Sequence, residues 1–422
     1  MNFRNCIRTL CLFVLGMFVI SSCAQSTSAI KCTLKGEIID RPQSTQFILY
    51  KQNEDPRIHG IDIPIVNGKF EYVLNCEHVE KYELAFNDEY ESASWRPIAF
   101  FSEQGVIKLV LHPTDRFNEN KVEGSKLTKA YWDYLNPILN KNSVIDKEFL
   151  AKSKQYLEDN FSEVLNKHET PEDDLRAKVE LLGKEGIDTE PVIQAITEIE
   201  QSLHQEAHQE IELSTLKYIK EHSTLVGYAI LVSEATSVVQ RNRRSNETKD
   251  ITPYVDLYKT IFALKFPSHP YSEQMENLLA GSSIKAGVPF IDFTTDDLTG
   301  KPVKLSERIA GKPAVLHLWA SWCGPCRKKG KELIPVYEEF RDKGFVVIGV
   351  AREKSVSFAK AAIEKDEYPW ENLVELNDAG KIWVKYGIGN SGGAVFLIDE
   401  NGNIVANNPS IEEIRSFLIK KL

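Results

Sequence analysis

Basic charge is in deficit in this sequence. Its 51 Lys and Arg are outnumbered by 61 Asp and Glu, giving a net charge of −10. A phosphate backbone needs a basic face, so nucleic acid is excluded as a partner. No long acidic tail accounts for the imbalance, and the charge reads as a solvated surface. Beyond the amino terminus no stretch is apolar enough for a transmembrane helix. Residues 124–281 show no repeat, and cysteine is sparse, at seven in 422 residues. The remaining composition is ordinary, 42% hydrophobic and 27% charged. Such a chain buries real cores, and its length calls for two or three of them.

The amino terminus reads as a targeting signal. Arg4 and Arg8 supply positive charge, and Leu10 to Ile20 form an apolar segment too short to anchor across a bilayer. Ile20-Ser21-Ser22-Cys23 follows and resembles a bacterial lipobox, which would make Cys23 the lipidated first residue of the mature chain. Ser22-Cys23-Ala24 also fits a cleavage site that leaves a chain starting at Gln25. Both readings export the protein to the periplasm or cell envelope, and the first tethers it to a membrane.

Residues 1–23 are thus assigned to the signal. Residues 24–123 are rich in short β-branched and aromatic runs, many with period two, and are expected to form an antiparallel sheet or sandwich. Asn67-Gly68 is the sharpest hairpin signal. Residues 124–281 carry apolar residues at three- and four-residue spacing, the mark of amphipathic helices. Arg241 to Asp250 reads as a charged loop. From 282 to 422 strands and helices alternate, which predicts an α/β layer around a central sheet, with a further hairpin at Asn401-Gly402. His204 and His208 lie four apart on a predicted helix, but no carboxylate or cysteine completes a metal site, and they are read as solvent-exposed. Cys6 and Cys11 leave with the signal. Cys32 and Cys76 could bridge, or could both be small buried hydrophobes; the sequence leaves both readings open.

The informative stretch is "LHLWASWCGPCRKKGKEL". A Cys-x-x-Cys at a helix start places its first thiol over unpaired backbone N–H groups and the positive end of the helix dipole, which favours the thiolate. The second thiol, one turn on, can attack a mixed disulfide. Cys323 is therefore the candidate nucleophile and Cys326 the resolving thiol. Pro325 fixes φ early in the helix, and Trp322 shields the pair on one side. A zinc site would need two more ligands, and there is no second Cys-x-x-Cys or Cys-x-x-His.

An apolar strand running into W-x-x-x-C-x-x-C, then a basic amphipathic helix, resembles the thioredoxin superfamily. The likeness is to its secreted bacterial TlpA/ResA-like thiol–disulfide oxidoreductases, with an AhpC/TSA-type region, over about 284–422. "FLIDENGNIVANN" looks like that family's closing hairpin, and residues 31–123 resemble the small β-domain fused to such reductases in Bacteroidetes. The resemblance implies a thioredoxin-like fold and makes His317 the counterpart of a buried Asp, as a proton shuttle or as a packed core residue. It likewise makes Glu353, in "VIGVAREKS", a candidate base, or otherwise a surface glutamate. Gly393 stands where the family has a cis-proline; non-proline cis bonds cost about 3 kcal/mol, so none is expected. The Gly392-Gly393 loop should still lie close to Cys323, because glycine lets backbones approach. Lys331 replaces the family's helix proline, and Pro335 comes later.

The expected activity is protein-disulfide reduction without cofactor or metal, drawing electrons from a membrane thiol reductant. Exported proteins, apocytochrome c among them, are the expected substrates. Two alternatives compete. A peroxidase of the same superfamily would need a hydroxyl where the chain has Ala320. A substrate-binding or dimerisation role would rest on the amino-terminal half.

Overall fold

A computed structural model describes residues 29–168, 174–244 and 249–422. The expected signal segment, with Cys6, Cys11 and Cys23, lies outside the described residues, as does part of the 241–250 loop.

Eight strands build the amino-terminal region: β1 (Ile30–Ile38), β2 (Gln46–Lys51), β3 (Ile61–Pro64), β4 (Lys69–Cys76), β5 (Lys81–Phe86), β6 (Ile98–Phe101), β7 (Gly105–Leu111) and β8 (Lys121–Glu123). They form two four-stranded sheets, ordered β4-β1-β7-β8 and β3-β2-β5-β6. Leu34, Phe70, Leu74 and Leu109 of one sheet meet Phe47, Leu49, Leu84 and Phe86 of the other in a single core, which makes a sandwich. Gly36 permits the tight packing. A Cβ there would lie 2.8 Å from the Phe70 ring and 2.4 Å from the Leu109 carbonyl oxygen.

Two expectations resolve differently here. Asn67 and Gly68 do form a tight left-handed turn, at φ +50° and +69°. The flanking strands, however, share only the Val66–Lys69 bridge. β3 then pairs with β2, and β4 pairs with β1 over eight positions. Ile63 and Phe70 must face one another across the core, so the turn crosses between sheets instead of closing a hairpin. Cys32 and Cys76 are both buried with free thiols. The register sets Cys32 opposite Leu74 and Cys76 opposite Ile30, so they are not cross-strand partners. Burial pushes the Cys32 thiol up to about 12.

The helical region is built around Leu225–Arg244. This helix buries Val226, Tyr228, Leu231, Val232, Ala235 and Val238 against Tyr254, Phe262, Tyr271 and Met275. The region's first helix, Lys126–Leu165, is continuous through Pro137 and is broken at Phe161. Its start is capped by Ser125 and fixed to the sandwich. Thr128 Oγ1 accepts from the Phe101 N–H at 2.8 Å, and Trp132 Nε1 donates to the Ala99 carbonyl at 3.0 Å.

The carboxy-terminal region is a seven-stranded sheet: β9 (Thr294–Asp297), β10 (Pro302–Lys304), β11 (Ala314–Trp319), β12 (Val346–Glu353), β13 (Glu371–Leu376), β14 (Ala394–Ile398) and β15 (Ile404–Asn407). Their order is β10-β9-β13-β12-β11-β14-β15. β11, β12 and β13 are parallel, and β14 runs against β11. Central β11 is buried on both faces, as a parallel strand should be. Val315 and Trp319 pack toward Leu333 and Val336 of the Gly324–Phe340 helix. Leu316 and Leu318 pack toward Leu305, Trp383 and Tyr386. The expected α/β layer is a thioredoxin fold. The β14–β15 hairpin closes through Gly402 at φ +85°.

The helical region is seated on this sheet by a close backbone approach. A Cβ at Gly281 would lie 2.2 Å from the Val384 carbonyl oxygen and 2.7 Å from the Gly387 Cα.

Candidate active site

β11 ends at Trp319, and the turn Ala320-Ser321-Trp322 delivers Cys323 to the start of the Gly324–Phe340 helix. Cys323 is the N-cap, and its Sγ accepts from the Cys326 N–H at 3.3 Å. A sulfur held there has the electrostatic setting that favours a thiolate once the bond is reduced. Cys323 and Cys326 are joined as a disulfide. Cys323 is only 9% exposed. Pro325 occupies the first turn, where a missing N–H costs nothing. Pro335 lies within the helix without breaking it.

The Gly392-Gly393 loop lies against the pair. A Cβ at Gly392 would sit 2.4 Å from the Cys323 sulfur and 3.2 Å from that of Cys326. One at Gly393 would sit 2.0 Å from the Leu318 carbonyl oxygen. The described residues contain no cis peptide bond. Glycine thus achieves the contact by lacking a side chain, with an ordinary trans backbone.

Glu353 ends β12 and is almost completely buried. Its Oε1 accepts from the Ser321 N–H at 2.6 Å, so it pins the turn that carries Cys323. Burial raises its pKa, and the Ser321 bond opposes the rise. The surface-glutamate reading does not hold. The structure gives Glu353 a contact with the turn, two residues from the nucleophile, and none with either sulfur.

His317 points from β11 to the same face as Val315 and Trp319, among Trp319, Tyr368 and Trp370. It is fully buried, and neither ring nitrogen has a hydrogen-bond partner. Burial depresses its pKa from 6.5 to about 4, and the Lys329 charge acts in the same direction. The folded state therefore holds a neutral ring while the unfolded chain takes up a proton. Stability should fall by about 3 kcal/mol as the pH drops from 6.5 to 4, and level off below that. Urea unfolding at pH 7 and pH 4 tests this. His317→Leu should flatten the dependence, and an unchanged slope would assign the acid sensitivity elsewhere.

Charge beyond the thiols is organised in two networks. On the helix, Arg327 donates to Asp366 through two nitrogens, at 2.6 and 2.8 Å, and Lys331 joins at 3.0 Å. The second network crosses from the sandwich to the redox region. Asp55 caps the short Pro56–His59 helix and is completely buried. It accepts from Arg57 and, at 3.1 Å, from Arg352 Nη1. Arg352, 3% exposed, also donates to both oxygens of Asp378, which meets His59 at 3.0 Å. Burial acts to raise the Asp378 pKa, but the bonds to His59 and Arg352 prevail and hold it at about 2. Arg57 then reaches the active site itself. Its guanidinium lies 3.7 Å over the Trp322 ring and donates to the Asn390 carbonyl at 2.5 Å.

None of the residues of the second network was singled out in the sequence reading, and Lys331 of the first was named only as the replacement for a helix proline. A signal existed in each half. Asp-Pro in "EDPRIHG" is a helix-start pattern, and Arg352 with Glu353 puts charge at the end of a strand that is apolar up to Ala351. Nothing in the sequence says that positions 55 and 352 meet. His204 and His208 lie on the exposed Glu190–Glu221 helix with rings 5.5 Å apart. Among the described residues no group of three metal-ligating side chains gathers.

Comparison with known proteins places two family matches on the chain. Residues 286–407 match the AhpC/TSA family, and residues 32–131 match a domain of unknown function, DUF4369. The first falls within residues 282–422, and the second covers most of residues 24–123 and runs eight residues into the segment read as helical. The thiol-disulfide oxidoreductase ResA of Bacillus thuringiensis (strain Al Hakam) is 29% identical over 114 residues, 27% of this chain and 64% of that protein. The chain thus spans less than two thirds of that relative's length. The soluble secreted antigen MPT53 of Mycobacterium tuberculosis (strain CDC 1551 / Oshkosh) is 29% identical over 121 residues, 28% of this chain and 66% of that one. Among solved structures, the thioredoxin domain of a Bacteroides vulgatus thiol-disulfide oxidoreductase aligns with 28% identity and a TM-score of 0.31, covering 33% of this chain and 99% of that one. A thiol:disulfide interchange protein from Bacteroides sp. gives 28% and 0.30, covering 33% and 90%.

Proposed function

We propose that the protein is an exported thiol–disulfide oxidoreductase that reduces disulfides in other proteins through Cys323 and Cys326. The observation that carries this reading is the bonded pair at a helix N-terminus, with the Cys323 sulfur on the Cys326 N–H and a glycine loop against both sulfurs. The names of the relatives support it for residues 286–407. In the reduced protein the Cys323 thiolate attacks one sulfur of a substrate disulfide. A Cys323–substrate bond forms, and the other substrate sulfur leaves as a thiolate. The Cys326 thiolate then attacks the Cys323 sulfur, releases the second substrate thiolate and closes the Cys323–Cys326 bond. The substrate gains two electrons and the pair loses two. A membrane thiol reductant restores the pair, and Cys23 holds the chain at that membrane. Glu353 acts as a positioning residue through Ser321. His317 supplies a neutral, dry flank to the helix that carries Cys326.

Equilibration in glutathione and dithiothreitol buffers tests the direction. The Cys-Gly-Pro-Cys sequence leads us to expect a potential near thioredoxin's, about −270 mV. A potential near about −120 mV would make the protein an oxidant instead. A pair that never cycles would overturn the oxidoreductase reading altogether.

A further inference from the structure

A groove of about 610 Å³ runs between the sandwich and the Leu225–Arg244 helix. Arg57 and Asn390 line it together with Thr236 and Gln240 of the helix. Through Arg57 and Asn390 it borders the redox site. Arg57 covers Trp322, the residue before Cys323. Asn390 stands two positions before Gly392, whose Cα backs directly onto the Cys323 sulfur. Asn390 also donates to the Asn53 carbonyl at 3.2 Å, so sandwich and thiol loop are stitched together beside the groove.

The lining has a definite chemistry. Its charged members are Glu54, Asp55, Arg57, Glu83 and Glu91. Asp55 and Arg57 neutralise one another at 2.8 Å, which leaves a net negative wall. Lys81 stands behind Glu83 at 3.1 Å and offsets part of it. The aromatic side chains of Tyr90 and Trp95 also line the groove. Trp95 is 40% exposed and sits edge-on to Tyr90 at 5.0 Å. A large exposed indole beside carboxylates suits the stem and head of a lysine or arginine, by cation–π and ion pairing together.

We propose that this groove receives an extended, cationic stretch of the polypeptide that carries the substrate disulfide, and leads it to Cys323. The proposal rests on the oxidoreductase reading above and adds its substrate class. Cys323 is nearly buried, so a disulfide must be held in place to reach it. A chain held in this groove lies beside Asn390, on the loop whose Gly392 abuts the Cys323 sulfur. The sandwich thereby becomes one wall of the active site.

The test compares two otherwise identical peptide disulfides, one flanked by lysines and one by glutamates, as substrates of the full-length protein. The lysine form should have the higher kcat/KM, by about fivefold to tenfold at low salt, and the advantage should collapse near 1 M salt. Glu91→Lys, at an exposed position, and Trp95→Ala should each cut the preference by about threefold or more. Equal rates for both peptides, a preference for glutamate, or a preference untouched by both variants would overturn the proposal. A small aromatic disulfide separates the two levels. A protein that reduces it without discriminating the peptides loses only the groove. A protein that reduces none of the three loses the oxidoreductase reading, and the groove with it.

Discussion

Replacing Cys323 by serine should reduce disulfide reduction by about 10³-fold or more, whereas Cys326→Ser should leave attack intact and stop the reaction halfway. The asymmetry follows from position. Cys323 is the helix N-cap, and its sulfur takes the Cys326 N–H, so the developing thiolate meets an unpaired donor and the positive end of a seventeen-residue helix. Cys326 lies inside the first turn, facing the Cys323 sulfur it must attack. Intact-mass measurement after mixing with a disulfide peptide distinguishes the two variants. Cys326→Ser should accumulate an adduct of one substrate chain, reversible by dithiothreitol, and Cys323→Ser should accumulate none. Full activity in Cys323→Ser, or adducts on Cys326 alone, would reverse the assigned roles.

The redox centre was legible in the sequence because its chemistry is local. Cys323, Pro325, Cys326 and the strand before them lie within a dozen residues, and the backbone rules for helix starts act over that range. The glycine loop was legible only through resemblance, since Gly392 reaches Cys323 from nearly seventy positions away. The central helix of the middle region, Leu225–Arg244, carries no clear 3.6-residue stripe because it is buried on most sides. Strand β13 was hidden for the opposite reason, as Glu371 and Glu375 interrupt its apolar pattern. Glu375 is buried there, its pKa raised by that burial to about 7. The Asn67-Gly68 turn was read correctly as a turn and wrongly as a hairpin, since turn chemistry fixes only the local reversal. Which sheet each strand joins is decided by the core. The least legible feature is the one that joins the domains, because it depends on residue pairs some three hundred positions apart.

That junction yields the other large expected effect. Asp55→Ala should destabilise the protein by about 3 kcal/mol, as the loss of one partner from a buried ion pair does. Asp55 is completely buried and accepts from Arg57 on its own helix and from Arg352 on β12. Without it Arg352 keeps Asp378 but loses its link to the sandwich, and Arg57 loses the carboxylate that orients it over Trp322. Two consequences should therefore move together. Denaturant unfolding should show the redox region and the sandwich coming apart at different concentrations, and the peptide selectivity of the disulfide reaction should fall. Asp55→Asn should recover part of the stability, because the amide oxygen can still accept from Arg352, but not the charge balance of the pair. If Asp55→Ala unfolds at the same denaturant concentration as the unaltered protein, the Asp55–Arg352 contact is not what fastens the sandwich to the redox domain. The docking free energy would then lie in the other contacts across that junction, Arg57 on Trp322 and on the Asn390 carbonyl, and Asn390 on the Asn53 carbonyl.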